Sequence, residues 1–194
     1  MPRSNRQTQP SVRAIVCLDT VWSQEDLEID LSVRPLLDLI AKTQGVKRIH
    51  LCCNTYAEFA FNLHLVAQYA EYCHLYLSFH GNPGELALSD GTAVTLEELA
   101  SEIGQEFAGW TFHFGSCGTL DVTAKRAQEF LAATGAEMAI GYTEAVNWIE
   151  SAALDLLIMQ GVQGHTSMAE FWQQFADRYP DLVAYTGLRA FVAA

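Results

Sequence analysis

The chain is poor in basic residues. Its 194 residues include 11 lysines and arginines against 23 aspartates and glutamates, which gives a formal net charge of −12. Binding to a phosphate backbone requires clustered Lys and Arg, and here these residues are scattered, so nucleic acid is not an expected ligand. The sequence also lacks an apolar run of about 18 uncharged residues, and residues 1–11 lack the apolar core of a secretory signal. We therefore expect a cytoplasmic protein without membrane contact.

Motifs for metals and nucleotide cofactors are missing as well. No Cys-x-x-Cys or His-Glu-x-x-His spacing occurs, and the adjacent Cys52 and Cys53 would point to opposite faces of a strand. No Gly-x-Gly-x-x-Gly follows the first apolar run, and there is no Gly-x-x-x-x-Gly-Lys-Ser/Thr loop. We expect neither a metal nor a cofactor.

Four of the five cysteines lie in or beside apolar, strand-like runs, namely Cys17, Cys52, Cys53 and Cys73. In such places a reduced cysteine behaves as a small hydrophobic side chain. These four cysteines are therefore predicted to be structural, which leaves Cys117 as the candidate for chemistry.

Apolar residues make up half of the sequence, and they alternate between strand-like and helix-like patterns. We predict one domain over residues 12–194, preceded by a tail at 1–11, with an acidic loop at 22–30. The predicted strands cover residues 12–18, 48–53, 75–79, 110–114, 137–142 and 188–192. The predicted helices cover residues 36–42, 56–73, 96–107, 119–134, 146–159 and 165–179. This alternation predicts an α/β fold with a mostly parallel sheet of about six strands and helices on both faces.

Two of these segments end in a reactive residue followed by glycine. Residues 75–81 read Leu-Tyr-Leu-Ser-Phe-His-Gly, and residues 110–118 read Trp-Thr-Phe-His-Phe-Gly-Ser-Cys-Gly. If the two strands are parallel neighbours, His80 and Cys117 emerge together at the carboxyl edge, where open α/β sheets place their sites. A thiol beside an imidazole can carry out acyl transfer, because the imidazole promotes thiolate formation and can protonate the leaving amine.

The competing histidine is His113, on the same strand as Cys117. It lies four residues earlier, about 13 Å back along an extended strand, so it is predicted to be a core residue. The sequence around Cys117 misses the Gly-x-Ser-x-Gly spacing of a nucleophile elbow, which favours cysteine over serine as the nucleophile.

The order of these motifs resembles that of the caspase-like cysteine peptidases, the clan that includes separase, gingipain, clostripain and legumain. An apolar strand with His-Gly is followed by an apolar strand with Ser-Cys-Gly. Residues 141–155 then resemble the Gly-Tyr and Trp-x-x-Ser-Ala elements of the bacterial CHAT- and separase-related branch. The resemblance covers about residues 12–160 and implies a caspase-hemoglobinase-like three-layer sandwich without a metal cofactor.

The resemblance also implies a role for individual residues. Cys117 would be the nucleophile and His80 the general base and acid, and the backbone N–H groups of Gly81 and Cys117 would form the oxyanion hole. Further residues would border the substrate pocket, namely Asp19, Gly115, Ser116, Tyr142, Glu144 and Trp148. Caspases bind an acidic P1 side chain through arginine, whereas this chain offers Asp19 and Glu144, so we expect a basic or neutral P1 residue.

The resulting hypothesis is a cytosolic cysteine endopeptidase that acts on proteins or peptides, in a bacterial defence or signalling system with a regulatory or sensor partner. A second hypothesis is an inactive caspase-like interaction module, in which the side chains of Cys117 and His80 would point apart or the pocket would be filled by residues 84–92. A third is a flavodoxin-like or receiver-like domain, which would need a phosphate nest or a cluster of acids at the strand ends, where Asp19 stands alone.

Overall fold

The computed structural model describes residues 13–23 and 31–193. The predicted tail at 1–11 and most of the predicted acidic loop at 22–30 lie outside the described residues. Among the helices in the described ranges, none has the length and apolar character needed to cross a bilayer.

In the described ranges, nine strands form two sheets. They are β1 Ala14–Asp19, β2 Arg48–Cys52, β3 Tyr72–Ser78, β4 His80–Asn82, β5 Glu85–Ala87, β6 Ala93–Thr95, β7 Thr111–Phe114, β8 Met138–Tyr142 and β9 Leu188–Val192. The main sheet has the order β2-β1-β3-β7-β8-β9, with β9 antiparallel to β8 and all other neighbours parallel. The predicted six-stranded, mostly parallel sheet is therefore confirmed.

Seven α-helices in the described part of the chain cover the main sheet. They are α1 Arg34–Gln44, α2 Tyr56–Ala67, α3 Leu96–Ile103, α4 Ala124–Thr134, α5 Trp148–Gly161, α6 Met168–Arg178 and α7 Pro180–Thr186. The core residues of α2, α3 and α4 pack on one face, and those of α1, α5 and α6 pack on the other. The sheet and the helices on its two faces form the three-layer sandwich that the sequence predicts.

β1 shows why an uninterrupted apolar run forms a central strand here. All six of its residues are buried, and they alternate between the two faces. Val16 and Leu18 join the core under α2 to α4, whereas Ile15 and Cys17 join the core under α1. A strand that is covered on both sides needs apolar residues at consecutive positions.

Two predicted helices have different limits in the structure. The helix predicted over residues 56–73 ends at Ala67, because Tyr72 pairs with Ala14 and extends β3 backwards. The helix predicted from residue 119 begins at Ala124, where Thr123 caps it through a hydrogen bond to the Arg126 N–H. In both cases tertiary pairing or a capping residue overrides the apolar pattern.

The prediction missed one helix and a small antiparallel sheet. The helix is α7, which begins with Pro180, ends at Thr186 and is capped by Gly187. The small sheet has the order β4-β5-β6 and lies between His80 and the start of α3. The Pro83-Gly84 pair connects β4 to β5, and Pro-Gly is a turn signal that could have indicated this hairpin.

Candidate active site

Cys117 and His80 follow two neighbouring parallel strands. His80 comes two residues after the end of β3, and Cys117 comes three residues after the end of β7. β3 and β7 pair directly, with Leu77 opposite Phe114, and the Gly115 N–H continues the pairing by donating to the Leu77 carbonyl at 2.9 Å. The predicted adjacency of the two strands is confirmed, and it places both residues at the carboxyl edge of the sheet.

A peptide carbonyl orients the imidazole of His80. The Nε2 atom lies 3.2 Å from the backbone oxygen of Trp22, and the two rings meet edge to face with centroids 4.8 Å apart. A carbonyl oxygen only accepts hydrogen bonds, so Nε2 carries the proton and Nδ1 is the acceptor nitrogen of the neutral ring. Trp22 was not predicted to take part, because 58 residues separate it from His80.

Gly81 packs directly against the segment that carries Cys117. A Cβ atom on Gly81 would lie 2.3 Å from the Thr119 Oγ1 and 2.7 Å from the Cys117 carbonyl oxygen. Contacts this short leave room only for a hydrogen at that position. Glycine after the histidine therefore brings the two chain segments to within contact distance.

Both residues line one cavity of about 250 Å³. The described residues around it are mostly apolar or aromatic, and they include no Lys or Arg. They are Trp22, Leu31, Val33, Tyr76, Ser78, Phe79, His80, Gly115, Cys117, Val146, Trp148, Ser151, Ala152 and Asp155. None of residues 84–92 is among them, so the filled pocket that an inactive module would show is not formed by these residues.

Of the predicted substrate-binding residues, Gly115 and Trp148 line this cavity. Trp148 is half-buried and meets Trp22 edge to face with ring centroids 4.9 Å apart. A Cβ on Gly115 would lie 2.4 Å from the Tyr76 ring, so glycine is required there as well. The two tryptophans and His80 form a continuous aromatic wall of the cavity that Cys117 also lines.

Asp19 is not at the cavity, contrary to the expectation from sequence. Its side chain is 6% exposed, and both of its oxygens are engaged within the chain. Oδ1 accepts from the Thr20 N–H and the Trp22 indole N–H, while Oδ2 lies 3.1 Å from the Nε2 of His50. These bonds hold the segment after β1, and with it the Trp22 carbonyl that orients His80.

The remaining predicted residues, Ser116, Tyr142 and Glu144, are either buried in the core or lie at another part of the surface. Ser116 is buried, with its hydroxyl 2.7 Å from that of Thr119. Glu144 is exposed and borders a different depression, with Glu150 and Tyr185. Tyr142 is fully buried, and its hydroxyl donates to Asp155 at 2.7 Å. None of the three lines the cavity beside Cys117.

Asp155 is the residue that sequence reasoning overlooked. It is 2% exposed, lines the cavity, and accepts hydrogen bonds from Tyr76, Tyr142 and His113 at 2.6, 2.7 and 2.9 Å. Burial, followed by the negative charge of Asp155, raises the pKa of both tyrosines well above its usual value, so both hydroxyls stay donors. An acid in an apolar helix, seven residues after Trp148, is the signal that could have found it.

His113 is buried between Asp155 and His74, which confirms its prediction as a core residue. Its Nδ1 lies 3.3 Å from the Nε2 of His74. In the tautomers that pair these rings, His74 Nε2 donates to His113 and His113 Nε2 donates to Asp155, while the Nδ1 of His74 has no hydrogen-bond partner among the described residues. Burial and the neighbouring His113 lower the pKa of His74 well below 6.5, which keeps its ring neutral.

Burial raises the pKa of the other four thiols, which makes them poor nucleophiles. For Cys53 the raised pKa is about 11, and for Cys17, Cys52 and Cys73 the direction is the same. Cys52 is exposed at the end of the edge strand β2. It is the thiol that a labelling experiment must control for.

A second cavity, of about 320 Å³, lies between α3 and α4. Its lining includes Glu97, Arg126 and Phe130 but none of the predicted site residues. The cavity at the sheet edge is therefore the candidate active site.

Comparison with known proteins gives a family and a fold. A family model with the description "Family of unknown function (DUF6642)" matches residues 12–191. No curated protein sequence matches the chain. The crystal structure of the Drosophila initiator caspase Dronc is similar, with a TM-score of 0.57 and 7% sequence identity over 89% of this chain and 74% of that chain. The expected caspase-like sandwich is thereby confirmed.

Proposed function

This chain belongs to the DUF6642 family of unknown function, and we propose that it is a cysteine endopeptidase in which Cys117 is the nucleophile and His80 the general base. The observation that carries the proposal is that both side chains line one cavity at the carboxyl edge of adjacent parallel strands. The caspase-like fold supports it. The hydrogen bond from His80 to the Trp22 carbonyl adds to that support, because it leaves Nδ1 able to accept a proton.

In the proposed reaction the imidazole of His80 takes the thiol proton of Cys117. The thiolate attacks the peptide carbonyl carbon, and a C–S bond forms as the carbonyl oxygen becomes an oxyanion. The C–N bond then breaks, the amine leaves with the proton from His80, and an acyl-thioester remains. Water attacks the thioester with His80 again as base, which releases the acid and returns the proton to the thiol.

The backbone N–H groups of Gly81 and Cys117 are the proposed donors to the oxyanion. Gly81 lies in β4, opposite Leu86 of β5. The contact between Gly81 and the Cys117 carbonyl keeps the two proposed donors close together.

We also propose the biological setting, which rests on sequence resemblance. The Trp-x-x-Ser-Ala element contributes Trp148, Ser151 and Ala152, and all three line the cavity. This placement supports the CHAT- and separase-related branch. A cytosolic peptidase of that branch, in a bacterial defence or signalling system, would act on a protein or peptide and be controlled by a regulatory or sensor partner.

Alkylation and cleavage together test the proposal. Cys52→Ser is the background for labelling, because Cys52 is the exposed thiol among the other cysteines. We expect iodoacetamide, followed by peptide mass spectrometry, to modify Cys117 first and more slowly in a His80→Ala variant. In a peptide-library assay, Cys117→Ala should lower cleavage by at least about 10³-fold with an unchanged fold by circular dichroism.

Cys73→Ala is the matched control for the cleavage assay, since it removes a different thiol away from the cavity. It should lower stability by about 1 kcal/mol without changing the rate. Cleavage that survives in the Cys117→Ala protein would exclude the proposed mechanism.

A further inference from the structure

We propose that the cavity beside Cys117 binds a primary ammonium, so that the enzyme prefers lysine on the acyl side of the cleaved bond. This inference rests on the proposed function and adds a substrate class to it. Two groups at the cavity carry the argument, the carboxylate of Asp155 and the hydroxyl of Ser78. Neither was predicted from the sequence.

Asp155 places a carboxylate with a vacant acceptor position at the cavity. A carboxylate offers about four acceptor positions, two on each oxygen. Oδ1 accepts from His113 and Tyr142, whereas Oδ2 accepts from Tyr76. These three donors are the ones that the described residues supply, and they leave one position on Oδ2. No Lys or Arg is found among the described residues that line the cavity. A cation from a substrate would supply the missing partner.

Ser78 is the independent second observation. The residue has no exposed surface, yet it lines the same cavity. Within the described ranges its Oγ has no hydrogen-bond partner. A buried hydroxyl without a partner is costly, and a ligand that hydrogen-bonds to it removes that cost. Oγ can accept from an N–H group, so it and Asp155 Oδ2 provide two acceptors for one cation.

The hydrogen bonds to Asp155 favour lysine over arginine. A guanidinium binds a carboxylate most strongly through two parallel N–H bonds, one to each oxygen. Oδ1 already accepts hydrogen bonds from two donors, so a guanidinium cannot bind both oxygens of Asp155 in this way. An ammonium is a compact charge with rotatable donors and needs a single position on the carboxylate.

The walls of the cavity match the rest of a lysine side chain. Trp22 and Trp148 meet edge to face beside it, and Val33, Val146 and Ala152 add apolar surface. A four-carbon stem packs along such surface while its charged end reaches a polar group. The ammonium is also attracted to the aromatic faces near its path.

Binding to the inactive Cys117→Ala protein tests the inference separately from catalysis. Acetylated tetrapeptide amides that differ only at the last residue, with lysine, norleucine, arginine or aspartate, are titrated while tryptophan fluorescence is followed. We expect lysine to bind about tenfold or more tightly than norleucine, which has the same stem without the charge. Lysine should also bind more tightly than arginine, and aspartate least.

Three further substitutions in the same background assign the effect. Asp155→Asn should reduce the lysine-to-norleucine ratio to about twofold or less, and Ser78→Ala should reduce it to an intermediate value. Glu150→Gln, which removes an exposed charge from the same helix, is the matched control and should leave the ratio unchanged. If Asp155→Asn fails to fold, Ser78→Ala decides the test.

Equal binding of the lysine and norleucine peptides, or tighter binding of aspartate, would overturn the inference. Tighter binding of arginine than lysine would overturn the argument from the filled Oδ1. These outcomes are distinct from a failure of the proposed function, which would appear as the absence of cleavage by the unmodified enzyme despite selective binding of lysine.

Discussion

Two backbone contacts organise the candidate site at the level of single residues. The Trp22 carbonyl accepts a hydrogen bond from His80 Nε2. Gly81 packs so closely on the Cys117 carbonyl that a Cβ atom at this position would lie 2.7 Å from the carbonyl oxygen. Both contacts involve main-chain atoms, so side-chain chemistry alone does not reveal them. Together they fix the tautomer of the proposed base, His80, and the position of one proposed oxyanion donor.

Substitution of Gly81 by alanine tests the second contact. The added Cβ would lie 2.7 Å from a backbone oxygen, so the chain must shift. We expect the free energy of unfolding to fall by about 1–3 kcal/mol and kcat/KM to fall by about 10²-fold, because a small displacement of reacting groups is costly. Urea denaturation and peptide cleavage measure the two effects.

Gly164→Ala is the control for this prediction, because nothing lies within 4 Å of its Cβ position. That variant should keep full activity, and its stability should stay the same or rise by up to about 1 kcal/mol. A Gly81→Ala protein with normal kinetics would show that the close contact is not needed for catalysis.

At the scale of the elements, the β4–β5 hairpin determines the position of His80, which is the first residue of β4. Thr119 and Arg126 hold this hairpin in place. Thr119 donates through Oγ1 to the Glu85 carbonyl, and its own carbonyl accepts from the Gly84 N–H. Arg126 donates to both carboxylate oxygens of Glu97 and to the Gly84 carbonyl. The hairpin is thus tied to α3, to α4 and to the loop after Cys117.

Removal of the arginine should loosen the hairpin without unfolding the protein. We expect Arg126→Ala to speed amide hydrogen exchange in residues 80–87 and to lower kcat, while global stability falls by at most about 1 kcal/mol, since the pair with Glu97 is partly exposed. Hydrogen exchange followed by mass spectrometry measures the local effect.

Lys125→Ala provides the comparison, because its ion pair with Glu129 lies on the exposed side of the same helix. It should leave the exchange of residues 80–87 as it is. Equal exchange in the Arg126→Ala protein would mean that Thr119 alone holds the hairpin.

At the scale of the whole molecule, a buried polar chain ties the sheet to α5. It runs from His74 on β3 through His113 on β7 to Asp155 on α5, and Tyr76 and Tyr142 join it from β3 and β8. All five residues are buried. Such a network stabilises one arrangement of its elements, because a missing partner leaves a buried polar group unsatisfied.

The lowered pKa of His74 makes folding sensitive to acid. Above about pH 6.5, the ring is neutral in both the folded and the unfolded chain, and it does not affect stability. Below that pH the unfolded chain binds a proton that the folded chain does not, so stability falls as the pH falls towards the lower folded pKa. The contribution is about 1.4 kcal/mol per pH unit.

His74→Gln removes this titration while keeping an N–H donor for His113. Between pH 6.5 and pH 5.5, we expect the unmodified protein to lose about 1 kcal/mol more stability than the variant in urea denaturation. The comparison cancels the carboxylates that both proteins share. Parallel pH profiles for the two proteins would contradict a neutral, buried His74.

Local sequence patterns were sufficient to predict the main sheet and the place of His80 and Cys117 after two adjacent parallel strands. Each central strand is an apolar run, and such a run by itself indicates a buried strand, as β1 and β7 show. His80 and Cys117 were found because each closely follows such a run, and the carboxyl ends of parallel neighbours meet at one edge. The capping box of Thr95 and Glu98 at the start of α3 likewise depends on residues only three apart.

The tertiary structure decided what surrounds those two residues. Asp155 meets Tyr76 across 79 positions, and Trp22 meets His80 across 58. Asp19 was expected at the pocket because it ends a strand there, yet His50 and the indole of Trp22 hold its carboxylate elsewhere. A sequence pattern records which face of an element is buried, whereas the choice of partner depends on strand order and on how the helices dock.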